Sequence, residues 1–439
     1  MDFKQYPSYK DSGVEWLGEV PEHWVGSKFK YIFQEKQHTK NMNLPFGAIS
    51  FGSVVYKKDK ANLTDELKEN YQEVLQGEFL VNPLNLNYDL KSLRTALSKI
   101  DVVVSSGYFV LKLKNNTFNK RYLEYLLYIF DIRKMKTLGA GIRQTLTFKD
   151  MAVCDVAIPS ACEQTQIVSF LDSETSRIDN LIAKQEKLIE KLEEHRKSVI
   201  SHAVTKGLDP NAPMKDSGSE WLGEVPEPWK LTPIKYLVYT QKGFAFSSHI
   251  FKEDGVGITK ASDIKNGTIL KPSTFIDENH FDDYQKYQLY SNDIIISTVG
   301  STPDVVNSAV GQIGMLPQDL QGCLLNQNTV IFRSKSNKIE QKFLYYVLLS
   351  NGYRSYLDLY AHGTANQASL SIVDMLTFSI PLPLKKEQMD IVRHIEEKSS
   401  KIDTLIAKQR ELIEKLKNHR TSIISHAVTG KIDVRDLVA

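Results

Sequence analysis

The sequence predicts an α+β protein of two mixed α/β globules separated by two long helices that pair as a coiled coil, with pseudo-two-fold order. Three observations predict it. Arg177–Thr205, RIDNLIAKQEKLIEKLEEHRKSVISHAVT, returns at Lys401–Thr429 as KIDTLIAKQRELIEKLKNHRTSIISHAVT, at a constant offset of 224. KDSGVEWLGEVPEHW at Lys10–Trp24 returns as KDSGSEWLGEVPEPW at Lys215–Trp229, with thirteen of fifteen positions matching at an offset of 205. Between these repeats lie two stretches of short β-like runs and one aromatic-rich helix each, and their interiors differ widely.

The helical repeat is justified by period. Ile178, Leu181, Ile182, Leu188, Ile189, Leu192, Val199 and Ile200 recur at steps of three and four, with no Pro or Gly between them. The second copy repeats the stripe at Ile402, Leu405, Ile406, Leu412, Ile413, Leu416, Ile423 and Ile424. From Glu163 to Val204 such a helix runs about 60 Å at ~1.5 Å per residue. Each stripe needs an apolar partner and the other copy supplies one. His195, Arg196 and His202 recur as His419, Arg420 and His426. Seven-residue spacing does not chelate one ion, so they read as polar interruptions that fix register, with contact to a partner protein as the second reading.

The repeated Trp-bearing segment reads as loop because of Gly13, Gly18 and Pro21. Trp16, Trp24, Trp221 and Trp229 are all the tryptophans of the chain and pack each segment onto its globule. The first globule, Val25–Ile158, reads as strands at Ile49–Tyr56 and Glu78–Asn82, and a strand pair over Asp101–Lys114. A helix over Arg121–Thr137, a Gly/polar loop over Leu138–Thr147 and a strand over Ala152–Ile158 follow. The second repeats the order: Val256–Lys260, Asp293–Thr298, Thr329–Arg333, a helix over Gln341–Tyr360, a loop over Ala361–Ser371 and a strand over Thr377–Pro381. The boundaries expected are 1–158, 159–209, 210–382 and 383–439. Joining the ends of the chain would close a ring of two units, so its termini are expected to be neighbours.

With 439 residues there is room for two or three domains with real cores. No secretory h-region and no run near membrane length is present, and Cys154, Cys162 and Cys323 are not in metal-ligand spacing. A reducing cytoplasm is expected. Net charge is +2 overall, but Val25–Ile158 carries 20 Lys+Arg against 13 Asp+Glu, while Lys230–Leu382 carries 13 against 13. The basic first globule suits an anionic partner. There is no phosphate-binding Gly loop. Asn82–Pro83–Leu84 lacks the second Pro and the aromatic of a methyltransferase motif. Pro303–Asp304 and Glu340–Lys342 are too far apart, and in the wrong elements, to hold one Mg²⁺.

The twice-repeated order of KDSG-EWLGEVPE-W, Ile158–Pro159 or Leu382–Pro383 with Glu-Gln after it, and the long helix resembles the specificity subunit of type I restriction–modification systems. The resemblance covers essentially the whole chain. It implies two target-recognition domains and an antiparallel coiled-coil spacer. It also implies a non-catalytic subunit that reads a bipartite asymmetric DNA target, one domain per half-site. Methyltransferase subunits using S-adenosylmethionine and an ATP- and Mg-dependent restriction subunit would dock on it, with no cofactor bound by this chain.

For base contacts the Gly/polar loops stand first: Arg143, Gln144 and Thr145, then His362, Thr364, Asn366 and Gln367. Arg suits guanine and Gln or Asn suits adenine. Further candidates are Lys57, Lys58, Lys60, Ser105, Ser106 and Tyr108, and Lys242, Phe244, Lys260, Ser297, Thr298 and Ser301. Two rival readings remain: a coiled-coil interaction scaffold that binds no DNA, and a self-sufficient enzyme.

Overall fold

The computed structural model describes residues 3–50, 52–57, 68–84, 93–138, 145–301, 310–335, 337–364 and 367–437. The chain forms two compact units, Met1–Gln185 with Glu411–Ala439, and Glu186–Arg410. Each long helix contributes to both, so the helices are not units of their own. They are α1, Ala161–Lys206, and α2, Lys385–Val428. At ~1.5 Å per residue they run roughly 69 and 66 Å.

In the first unit a sheet of four antiparallel strands carries the globule. Its strands are β1 (Phe33–Glu35), β2 (Phe79–Val81), β3 (Thr95–Leu97) and β4 (Phe109–Leu113), in the order β1-β4-β2-β3. The second unit repeats this with β5 (Val238–Lys242), β6 (Ile294–Ser297), β7 (Ile313–Met315) and β8 (Thr329–Ser334), in the order β5-β8-β6-β7. Here the sheet continues through Gly267–Ile269 and Ile264–Lys265, and a separate four-stranded sheet is added.

Several local expectations are corrected. Ile49–Tyr56 is a hairpin, Gly47–Ser50 with Ser53–Tyr56, turned at Gly52 with φ 74°. Val102–Ser105 and β4 are both strands but do not pair: the first pairs with Tyr71–Val74, and β4 lies between β1 and β2. The aromatic helix of the second globule is broken into Gln341–Leu348 and Asn351–Tyr360. Within Ala361–Ser371, expected as a loop, His362–Thr364 and Gln367–Ser369 are paired strands. Ala152 ends a short helix, Phe148–Ala152, capped reciprocally by Thr147 and Asp150. The final strand starts only at Asp155.

The repeated Trp segment is a two-stranded hairpin in both copies, Tyr9↔Pro21 and Met214↔Pro226, with both glycines of each copy at positive φ. Trp24 and Trp229 are buried, as packing residues should be. Each indole N–H donates to a glutamate in the first turn of a long helix, Trp24 to Glu163 at 2.9 Å and Trp229 to Glu387 at 3.1 Å. Tyr6 also donates to Glu163, at 2.7 Å. Burial, then the Glu163 carboxylate, pushes its phenol up, so it stays a donor.

The next residue of each helix is a buried glutamine with an equally fixed role. Gln164 accepts from Asn119 N–H at 2.9 Å and donates to Pro159 O at 3.0 Å. Gln388 accepts from Glu340 N–H at 2.7 Å and donates to Pro383 O at 2.9 Å and Lys338 O at 2.8 Å. The Glu-Gln pair thus ties hairpin, globule and long helix together, in the same way in both units.

Both long helices stop on a left-handed glycine. Gly430 (φ 69°) donates to Ala427 O and Lys431 to His426 O, the two bonds of a Schellman end. Gly207 (φ 78°) donates to Ala203 O in the single-bond variant. A Cβ on Gly430 would strike the Pro21 ring. Gly430→Ala is therefore expected to destabilise the first unit by about 2 kcal/mol, read as a lowered denaturant midpoint at constant slope. The termini meet as expected: Asp433 N–H donates to Lys4 O at 2.7 Å, and Lys4 pairs with Asp436 at 3.0 Å.

Within each unit the two helix segments run in opposite directions. In the first, Gln166 reaches Arg435 O while Asp179 pairs with Arg420 at 2.8 Å. In the second, Arg196 pairs with Asp403, and Gly207 lies against Glu387. The two ion pairs are equivalents, since each residue is shifted by 224 from its counterpart. Of the stripe, Ile178, Ile402, Ile406 and Ile423 are buried, and Leu181, Ile182, Leu192, Val199 and Leu416 are half-buried. Leu188, Leu405 and Leu412 are 42%, 43% and 40% exposed, contrary to expectation. A two-helix seam is narrow, and leucines at the edge of a stripe this wide stay in water.

Candidate nucleic-acid interface

The described candidate residues of the first globule fall into one connected run of contacts. Tyr71 pairs with Ser105 across two strands, and the Lys57 ammonium lies 5.6 Å from the Tyr71 ring centroid. Phe46, whose carbonyl accepts from Lys57 N–H, packs edge-on against the same ring. Lys68 sits over Phe46 at 5.3 Å. Ser105 turns the chain: its carbonyl accepts from Tyr108 N–H at 3.1 Å, and Gln72 donates to Tyr108 O. Burial pushes the Tyr108 phenol up, so it stays a neutral donor–acceptor. A Cβ on Gly107 would touch Leu84, and the carbonyl of Pro83 accepts from Leu146 N–H at 3.1 Å. That bond sets exposed Thr145 beside the turn. Lys57, Ser105, Ser106, Tyr108 and Thr145 are thereby brought together. Lys58, Lys60, Arg143 and Gln144 lie outside the described residues.

The second globule uses equivalent supports. Thr298 O accepts from Leu370 N–H at 2.9 Å, the counterpart of Pro83 with Leu146. Val299–Gly300 then pairs with Gln367–Ser369, which pairs with His362–Thr364. Exposed His362 stands on that hairpin. Thr364 and Gln367 are on it by their backbone, and Asn366 lies outside the described residues. Ser301 follows the Val299–Gly300 strand, with its carbonyl accepting from Val310 N–H. Lys242 is exposed at the end of β5, and Phe244 joins Phe246, Tyr284 and Tyr287 in a ring cluster with centroids 5.0–5.2 Å apart.

Three candidates are corrected. Ser297 and Thr298 are only 2% and 6% exposed. Ser297 Oγ accepts from Gln312 N–H, and Thr298 uses both backbone groups on Asn328 and Leu370. They support loops and do not face a ligand. The Lys260 ammonium is spent on Thr274 Oγ1 at 2.6 Å and on the Phe251 ring.

Sequence reasoning misses one element, the turn Asn326–Gln327–Asn328 between Leu324–Leu325 and β8. It occupies the place that Ser105–Tyr108 holds before β4. Gln327 and Asn328 are exposed. The available signal is an Asn-Gln-Asn triplet between two apolar runs, which by composition is an ordinary polar turn.

No group of three His, Cys, Asp or Glu suited to a metal occurs among the described residues, and no described helix is long and apolar enough to cross a membrane.

This arrangement has counterparts among known proteins. The family description "type I restriction modification DNA specificity domain" matches residues 17–194 and again 226–415. The type I restriction enzyme MjaVIII specificity subunit of Methanocaldococcus jannaschii is 28% identical over 426 residues, covering 95% of each chain. The EcoBI specificity subunit of Escherichia coli is 22% identical over 335 residues, covering 73% of this chain and 68% of that one. A solved chain from work on complex assembly and conformational transition of the type I R-M system has the same fold. It superposes with a TM-score of 0.62 at 15% identity, over 93% of this chain and 98% of that one.

Proposed function

Because this chain belongs to the type I restriction–modification DNA specificity family, we propose that it reads a bipartite, asymmetric duplex target, one globule per half-site. The observation that carries the reading is one frame used twice with different surfaces. Sheet order, Trp–Glu bond and buried glutamine recur in both units, while the turns at the sheet ends differ. Like frames with unlike faces suit two different short words on one polymer. Phosphates supply affinity, and base edges in the major groove supply discrimination.

The long helices are the proposed antiparallel coiled-coil spacer, supported by the equivalent pairs Arg420–Asp179 and Arg196–Asp403. Readers on one face of DNA sit about one turn apart, ~34 Å, or a multiple of it. A fixed spacer then makes the length of the gap part of the target. Methyltransferase subunits using S-adenosylmethionine would supply the chemistry of modification. An ATP- and Mg-dependent restriction subunit would supply cleavage, and this chain would bind none of these cofactors itself. Action in the cytoplasm, on the host's own DNA, goes with that role.

The test is a titration of the full chain, assembled with its methyltransferase subunits, against the bipartite site found by mapping methylated adenines in a host that carries it. Tight binding that falls steeply with salt is expected. Absence of duplex binding with those partners present would leave only the scaffold. Arg143→Ala is expected to cost ~1–3 kcal/mol on the cognate site and to relax one base position, read on a panel of point-substituted duplexes.

A further inference from the structure

We infer that the turn Asn326–Gln327–Asn328 is the adenine-reading element of the second globule, with the Gln327 and Asn328 carboxamides turned to the major-groove edge of duplex DNA. The inference rests on the DNA-reading function above and deepens it by naming residues and a base.

The turn is held by backbone bonds from its neighbours and by Asn326 Oδ1, which accepts from Asn328 N–H at 3.4 Å. Asn326 N–H donates to Thr259 O at 3.0 Å, and Asn326 O accepts from Thr329 N–H at 3.1 Å and Thr329 Oγ1 at 2.6 Å. Asn328 O accepts from Thr298 N–H at 2.8 Å. On either side, Phe244 N–H donates to Leu325 O at 2.9 Å and Gly243 N–H to Thr329 O at 3.1 Å. Gly243 comes so close that a Cβ there would land on Asn326 O. Three separate elements therefore fix the backbone, and none of these bonds uses the side chains of Gln327 or Asn328. Leu325 and Thr329 on either side are buried, whereas Gln327 and Asn328 stand in solvent. A reading group gains selectivity when its support is rigid and its own polar atoms are uncommitted.

The chemistry selects the base. A carboxamide offers one acceptor and two donors on a flat group, which matches adenine N6–H₂ and N7 bidentately. It has no charge, so it is a poor phosphate clamp; exposed Lys242 at the end of the adjacent strand is the better one. The counterpart turn in the first globule, Ser105–Tyr108, precedes β4 as this turn precedes β8. It carries hydroxyls, which accept or donate to any base. One position in a shared frame thus holds different base-recognition chemistry in the two globules.

The test uses the full chain assembled with its methyltransferase subunits, selecting from a randomised duplex library. Wild type, Gln327→Ala and Gln327→Glu are compared. Gln327→Ala is expected to weaken the preference for one adenine roughly 5- to 150-fold, in one half of the site only. Gln327→Glu is expected to shift that position towards cytosine, whose amino group a carboxylate accepts. A residue that merely braced the turn would not change base identity. A wild type that selects a bipartite site while both variants select the same bases overturns the assignment and leaves the function standing. A wild type that selects no sequence overturns the DNA-reading function, and this assignment with it.

Discussion

Gln388→Leu is expected to destabilise the second unit by about 4 kcal/mol, among the largest effects any single substitution here would have. Gln388 is completely buried. Its carboxamide satisfies Glu340 N–H and the carbonyls of Pro383 and Lys338. Leucine has nearly the same volume, so the core keeps its packing while one donor and two acceptors lose their partners. Orphaning the buried Pro383 carbonyl costs roughly 1–3 kcal/mol, and the part-buried Glu340 N–H and Lys338 carbonyl each add less. Gln388→Glu should be intermediate, because it keeps the acceptor but not the amide donors. Equilibrium unfolding of the full chain checks this, and an unchanged midpoint for Gln388→Leu would refute the bracing role. Gln164→Leu should behave alike in the first unit, with two bonds at stake where Gln388 has three.

Lengthening the gap between the half-sites by five base pairs is the second large effect. Half a helical turn carries one half-site to the opposite face of the duplex. A stiff spacer cannot follow, so the contacts of one globule are lost. Specific recognition exceeds non-specific binding by about 4–10 kcal/mol in such systems. Losing half of it, about 2–5 kcal/mol, should weaken binding roughly 30- to 5,000-fold, whereas a phosphate-only contribution would remain. Binding isotherms on duplexes that differ only in the gap decide the matter, and equal affinity would show that the two long helices set no distance.

The frame is legible in the sequence because it is written twice. Repetition alone picks out the Trp segment, the Glu-Gln step and the long helices. Periodicity of three and four then gives the first helix its extent to within two residues, Glu163–Val204 against Ala161–Lys206. What the sequence does not disclose is tertiary. Val102–Ser105 and Phe109–Leu113 read as a hairpin because they are adjacent, but each finds its partner in another strand. Ser297 and Thr298 read as contact residues because they are polar, yet both are buried, with the Ser297 hydroxyl and the Thr298 backbone groups taken by neighbouring backbone. Conversely, the Asn326–Asn328 turn gains meaning only from bonds that fix its backbone without using the Gln327 and Asn328 side chains, and no local pattern announces those.

The Glu-Gln step also governs how such genes can be shuffled. To that buried glutamine a foreign globule has to offer one backbone N–H, where Asn119 or Glu340 now stands, and in the second unit also a carbonyl where Lys338 stands. The globule also has to meet the helices directly, as Arg121 and Tyr125 do at Asp172 and Lys342 does at Glu396. Crossovers falling within those near-duplicate flanks would therefore trade one recognition cassette for another while keeping the Glu-Gln step, provided that the new globule also fits the helix faces. A host could acquire a new DNA address in a single recombination event, and an engineer could do the same at Trp24 and Pro159.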